Sequence, residues 1–97
     1  MNRIARLAAL AEQDLIDIWQ YSAERWSTEQ ADSYLDAIGR AIQQLTANPQ
    51  AGVARDDVRA GYRALFVNQH AIYYLITAEG VQIGRVLSVR MDPYRHV

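Results

Sequence analysis

The apolar positions of this chain change period once, and that change divides it into two halves. From Leu7 onward the large apolar residues fall at Leu7, Ala11, Leu15, Ile18, Trp19 and Trp26, while Glu12, Asp14, Asp17, Glu24 and Arg25 occupy mostly other directions. That is the stripe of a 3.6-residue repeat, and it predicts a helix from about Ala9 to Arg25. Ser27 and Gln30 then stand at the spacing of a capping box, which restarts a helix. Its apolar stripe is Ala31, Tyr34, Leu35, Ile38, Ile42 and Leu45. Asn48 and Pro49 stop it, the first as a left-handed cap and the second as a residue that cannot extend the ladder. Two helices joined so tightly form an antiparallel hairpin.

After Gly61 the period becomes two. YRALFV (62–67), HAIYYLIT (70–77) and VQIGRVLSV (81–89) read as strands, with turns at Asn68-Gln69 and at Ala78-Glu79-Gly80. Turns this short make an antiparallel meander. The second strand is apolar on both faces, as a central strand should be. Residues 2–7 suit an edge strand, and 48–61 form a polar loop with no period. The predicted fold is α+β in the order β-α-α-β-β-β, a helical hairpin on a small antiparallel sheet, within one domain spanning 1–97. Trp19, Trp26, Tyr34, Tyr73 and Tyr74 are expected to fill the space between hairpin and sheet. Asp92-Pro93 ends the last strand. The remaining YRHV either packs back or projects toward a partner.

The composition narrows the function by exclusion. With 97 residues and 51% apolar content, the chain suits one small folded domain. It has no Cys and only His70 and His96, without metal-ligand spacing, so no metal or other cofactor is expected. Its glycines are isolated, so no phosphate loop is expected. No signal peptide or membrane span is evident, which makes the cytosol the expected compartment. The net charge is −1, but residues 61–97 hold four Arg against Glu79 and Asp92 alone. All ten basic residues are Arg, the side chain suited to bidentate contacts.

RNA cleavage without metal would need a base, an acid and cations around one phosphate. Arg63, Arg85 and Arg90, with His70, Tyr94 and His96, are the groups available, although nothing in their spacing gathers them. Arg itself stays protonated and serves poorly as an acid or base.

The order of signals resembles one family, the ParE branch of the RelE/ParE toxins of bacterial toxin–antitoxin modules. The carriers are LAEQDLIDIWQYSAERW, EQADSYLDAI, LTANPQAGVARDDVRAGYRAL, HAIYYLI and IGRVLSVRMDPYRHV. The resemblance implies a toxin that binds and inhibits DNA gyrase and is neutralised by a ParD-like antitoxin. Operator DNA would be reached only through that antitoxin. Under this reading Arg85, Arg90, Tyr94 and Arg95 are the candidates for target contact. Trp19, Tyr34, Leu35 and Arg63 are the candidates for antitoxin contact, because short amphipathic partners use apolar anchors with a charged rim. The related RelE branch cleaves mRNA on the ribosome. Arg63 and Arg90 match its basic positions and Tyr94 lies near its Tyr, while Leu65 and His70 stand where it tends to carry further cations. That difference favours a binding toxin with no catalytic residues over a ribosome-dependent endoribonuclease.

Overall fold

A computed structural model of the chain describes residues 3–97. Its elements are β1 (Ile4–Leu7), α1 (Ala9–Arg25), α2 (Thr28–Ala47), β2 (Val53–Ala54), β3 (Arg63–Val67), β4 (His70–Ile76), β5 (Gly80–Ser88) and a one-turn α3 (Pro93–His96). The strand expected over 2–7 starts at Ile4, and Asn2 lies outside the described residues. The sheet order is β1-β5-β4-β3-β2. β3, β4 and β5 form the antiparallel meander. β1 joins β5 in parallel, which the intervening helical hairpin makes possible. Gly80 sits opposite Ile4, and a Cβ there would overlap the Ile4 carbonyl, so the strand crossing needs glycine.

The second helix starts as expected: Ser27 Oγ accepts from the Gln30 amide at 3.0 Å, a cap worth about 1 kcal/mol. Its end differs. Asn48 is the C-cap after Ala47, but at φ −137° and ψ 79° rather than in the left-handed region. The ring of Pro49 excludes helical geometry from the residue before it and pushes that residue toward extended backbone. Asn68 takes the left-handed conformation instead, at φ 54° in the β3–β4 turn. The loop over 48–61 also contains β2, which pairs Val53 with Ala64 and Ala54 with Arg63. A strand of this length leaves no periodic trace in a sequence.

The main core lies between hairpin and sheet. Ile38, Ile42 and Leu45 of α2 meet Ile72, Tyr74, Ile83 and Val86 of the central strands. Tyr74 is fully buried, and its hydroxyl donates to the Pro49 carbonyl at 2.6 Å and accepts from the Gly52 amide at 2.9 Å. That pair of bonds satisfies a buried hydroxyl and ties the end of α2 to the central strand.

A second cluster forms on the outer face of the sheet from Tyr62, Ala64, Ala71, Tyr73 and Leu87, with Val58, Leu75 and Val97 against it. The aromatics therefore divide differently from the expectation. Tyr73 follows the strand alternation to the outer face while Tyr74 faces the hairpin. Tyr34 packs at the margin of the main core, Trp19 is half-buried, and Trp26 is 63% exposed. A bulge interrupts the alternation in β5: Tyr73 pairs with Arg85 and Tyr74 with Ile83, which leaves Gly84 between them. The Tyr62 hydroxyl fills the space a Cβ at Gly84 would take. Among the described residues no helix is long and apolar enough to cross a membrane.

Candidate functional site

The residues around the chain's basic end form one structural unit. Asp92 caps α3 by accepting from the Tyr94 amide at 2.9 Å, and Pro93 occupies the first helical position, where its missing N–H costs nothing. Of the two courses open to the tail, the structure takes the first, packing back. Val97 rests on the outer cluster, and the His96 carbonyl accepts from Arg85. The Tyr94 hydroxyl donates to Asp57 Oδ2 at 2.5 Å.

Asp57 is held from both sides. Arg55 forks onto it, Nε to Oδ1 at 3.0 Å and Nη2 to Oδ2 at 3.1 Å. The Arg55 hydrogen bonds, with Tyr94 second, hold the Asp57 carboxyl well below the usual carboxylate range. The same carboxylate pushes the Tyr94 phenol up, so it remains a protonated donor at neutral pH. Sequence reading missed Arg55 and Asp57. They lie in the aperiodic loop, and only the return of the tail brings Tyr94 to them.

Arg85 is placed differently from a free target contact. The bulge directs it to α1, where Nε and Nη2 each meet Asp14 at 2.8 Å, and Asp14 also accepts from the Val86 amide at 2.9 Å. β1 has ended by this point, so Asp14 caps the open edge of β5. The Asp14 hydrogen bonds raise the affinity of Arg85 for its proton, with burial opposing. Arg85 is thus a strut that joins α1, β5 and the tail. Asp14 gave no signal beyond being one acid on a helix.

Arg90 and Arg95 remain at the surface. Arg90 has no side-chain partner among the described residues, and Arg95 has only a 3.8 Å approach to Asp92. Arg63 is spent on the loop: its Nη2 donates to the carbonyls of Gln50 at 3.2 Å and Gly52 at 2.6 Å. Trp19 Nε1 donates to Asp32 Oδ1 at 2.8 Å and stitches the hairpin together. Leu35 is half-buried. The large exposed apolar side chains on the hairpin are instead Leu10, Ile16, Tyr21 and Trp26. Among the described residues no cluster of three His, Cys, Asp or Glu could hold a metal ion.

Tyr34 closes the β3–β4 turn. Its hydroxyl lies 2.6 Å from His70 Nδ1 and accepts from the Gln69 amide at 3.3 Å, and the rings meet edge to face. The hydroxyl has one proton to give and two lone pairs, so it can donate to Nδ1 of the neutral imidazole while still accepting from Gln69. Burial lowers the His70 pKa below its ordinary 6.5, against the opposing pull of the Asp14 charge. The unfolded chain therefore binds the His70 proton more tightly than the folded one. The stabilisation is complete above pH 6.5 and is lost as the pH falls through the lowered folded value. Thermal melts from pH 7.5 to pH 5 should show a steeper acid-side loss for the wild type than for His70→Gln. Equal slopes would contradict this assignment.

Comparison with known proteins agrees with this architecture. The family described as ParE toxin of type II toxin-antitoxin system, parDE, matches residues 5–93. The chain is 39% identical over 92 residues to Toxin ParE1 of Mycobacterium tuberculosis, covering 94% of each protein. It is 36% identical over 92 residues to Toxin ParE1 of Caulobacter vibrioides, covering 95% of each. A chain in the solved structure of a chromosomal ParDE toxin–antitoxin system from P. aeruginosa superposes with a TM-score of 0.80 at 19% identity, covering 91% of this chain and 97% of that one. That last likeness is one of fold. Sequence matched across almost the full length, carried on this fold, makes the chain a member of the ParE toxin family of type II toxin–antitoxin systems.

Proposed function

We propose that this toxin acts by binding, with DNA gyrase as its target and a ParD-like antitoxin as its neutralising partner. Operator DNA is reached through the antitoxin. Arg90, Tyr94 and Arg95 are the target contacts, presented on a tail that the Asp14–Arg85 strut and the Asp57 contact hold in place. The observation that carries this reading is the pair of surface arginines without strong partners, on a tail otherwise tied down at both ends. Unspent guanidinium donors on a fixed frame suit recognition of carboxylates on another protein.

The groups that a cleavage mechanism would use have separate employments. Arg63 serves loop carbonyls, His70 is held by Tyr34, and Tyr94 is a donor to Asp57. That separation favours binding over proton transfer. For the antitoxin, Trp19, Tyr34, Leu35 and Arg63 support the hairpin and the adjoining loop, and the exposed Leu10 and Ile16 on α1 offer apolar surface to an amphipathic segment. The P. aeruginosa fold neighbour comes from a ParDE system, which supports a partner of this kind.

Pulse-labelling after induction in a host without antitoxin tests the proposal. DNA synthesis should fall before protein synthesis does. An earlier stop in translation, with truncated transcripts, would favour the endoribonuclease.

A further inference from the structure

A cleft of about 320 Å³ opens between the first turn of α1, the 55–62 loop, the outer sheet face and the tail. Leu10, Tyr62, Leu75 and Val97 give it apolar walls, and Arg59 and His96 stand among them. Leu10 is 61% exposed. Arg59 lies over the Tyr62 ring, 5.6 Å from its centroid, and has no ion-pair partner among the described residues. No Asp or Glu lines the cleft. Arg85 also borders it, but Asp14 already meets that charge. The first turn of α1 has alanine where a capping side chain would stand, and Glu12, the acid of that turn, does not line the cleft.

The other exposed apolar cluster differs in charge. At the hairpin end Tyr21 and Trp26 pack edge to face, and Arg25 lies within 6 Å of both ring centroids, at 5.7 and 5.9 Å. Glu24 and Glu29 flank that cluster in the sequence. The cleft therefore differs from it in joining an open apolar floor to positive charge with no acid in its lining.

We propose that the cleft receives an acidic, aliphatic segment of the antitoxin: an aliphatic side chain against Leu10, Leu75 and Val97, and a neighbouring carboxylate on Arg59. This rests on the antitoxin reading above and assigns it a place that none of Trp19, Tyr34, Leu35 or Arg63 occupies. Charge complementarity selects the occupant, since a basic or neutral segment would leave Arg59 unmatched in a partly dehydrated site. The cleft also adjoins the tail through His96 and Val97, so a segment seated there would lie beside the proposed target contacts.

The test is titration of the full-length antitoxin encoded beside the toxin gene against wild type, Leu10→Asp, Arg59→Glu, Arg59→Lys and Trp26→Ala. Leu10 and Arg59 are at the surface, and circular dichroism melts establish that their variants fold. Leu10→Asp and Arg59→Glu should each weaken binding at least about tenfold, the order expected for an anchor and its charged rim. Arg59→Lys should recover part of the Arg59→Glu loss, and added salt should weaken the wild type more than Arg59→Glu. Trp26→Ala should stay within about twofold of wild type. Wild-type affinity in both cleft variants, with the antitoxin binding normally to the wild type, overturns the cleft assignment alone. A wild-type chain that binds no antitoxin overturns the antitoxin reading and the cleft with it.

Discussion

Asp14→Ala is expected to lower folding stability by about 3 kcal/mol, within the range for breaking a dehydrated ion pair from one side. The side chains of Asp14 and Arg85 are only 11% and 16% exposed. Removing the carboxylate leaves the guanidinium without its counter-charge and the Val86 amide without an acceptor. For a domain of this size such a loss corresponds to a fall of roughly 15 °C in Tm. Asp14→Asn should lose less, because its one amide oxygen can still accept. Because Arg85 also donates to the His96 carbonyl, the damage should spread to the tail. Hydrogen exchange at the Val97 amide, which bonds to the Pro93 carbonyl, reports that spread. An unchanged melt in Asp14→Ala would mean that Arg85 is no strut.

The paired reversal Arg90→Glu and Arg95→Glu is expected to weaken target inhibition by at least about 30-fold, the loss of one or two strong contacts. Melting should hardly move, since both side chains lie at the surface and the Arg95 approach to Asp92 is long and 82% exposed on the arginine side. Removing residues 91–97 is a poorer experiment. It would also take away the His96 carbonyl and uncover the outer cluster beneath Val97, so lost toxicity could reflect unfolding. Tyr94→Phe separates two mechanisms. It keeps the ring and removes only the hydroxyl bonded to Asp57, so a binding toxin should retain most of its potency. A proton-transfer mechanism through that hydroxyl would lose orders of magnitude.

The helices and the meander were legible because each carries a full period of apolar residues. The Ser27 cap was legible because its chemistry is local. What escaped depends on contacts between distant segments. Tyr34 reads as an ordinary member of an apolar stripe, yet its hydroxyl meets His70 on the far side of the chain. Arg85 looks like a strand-face cation, and only the bulge at Gly84 together with the early end of β1 reveals that it is paired to α1. Arg63 resembled a catalytic or antitoxin-binding cation until β2 brought the Gln50 and Gly52 carbonyls beside it. In both cases alternation gave the correct strand and left the side chain's partner unread, because the partner of a charged side chain is a property of the tertiary structure. Arg90 and Arg95 are exposed for the converse reason: among the described residues nothing folds over them.

The central question is whether this protein stops its target by occupying it. The direct measurement adds the purified toxin to gyrase relaxing and supercoiling a plasmid, and in parallel to ribosomes translating a defined mRNA. Binding predicts that supercoiling falls with toxin dose, recovers when antitoxin is added, and leaves the mRNA whole. Undiminished supercoiling beside codon-phased cuts in the message would contradict it.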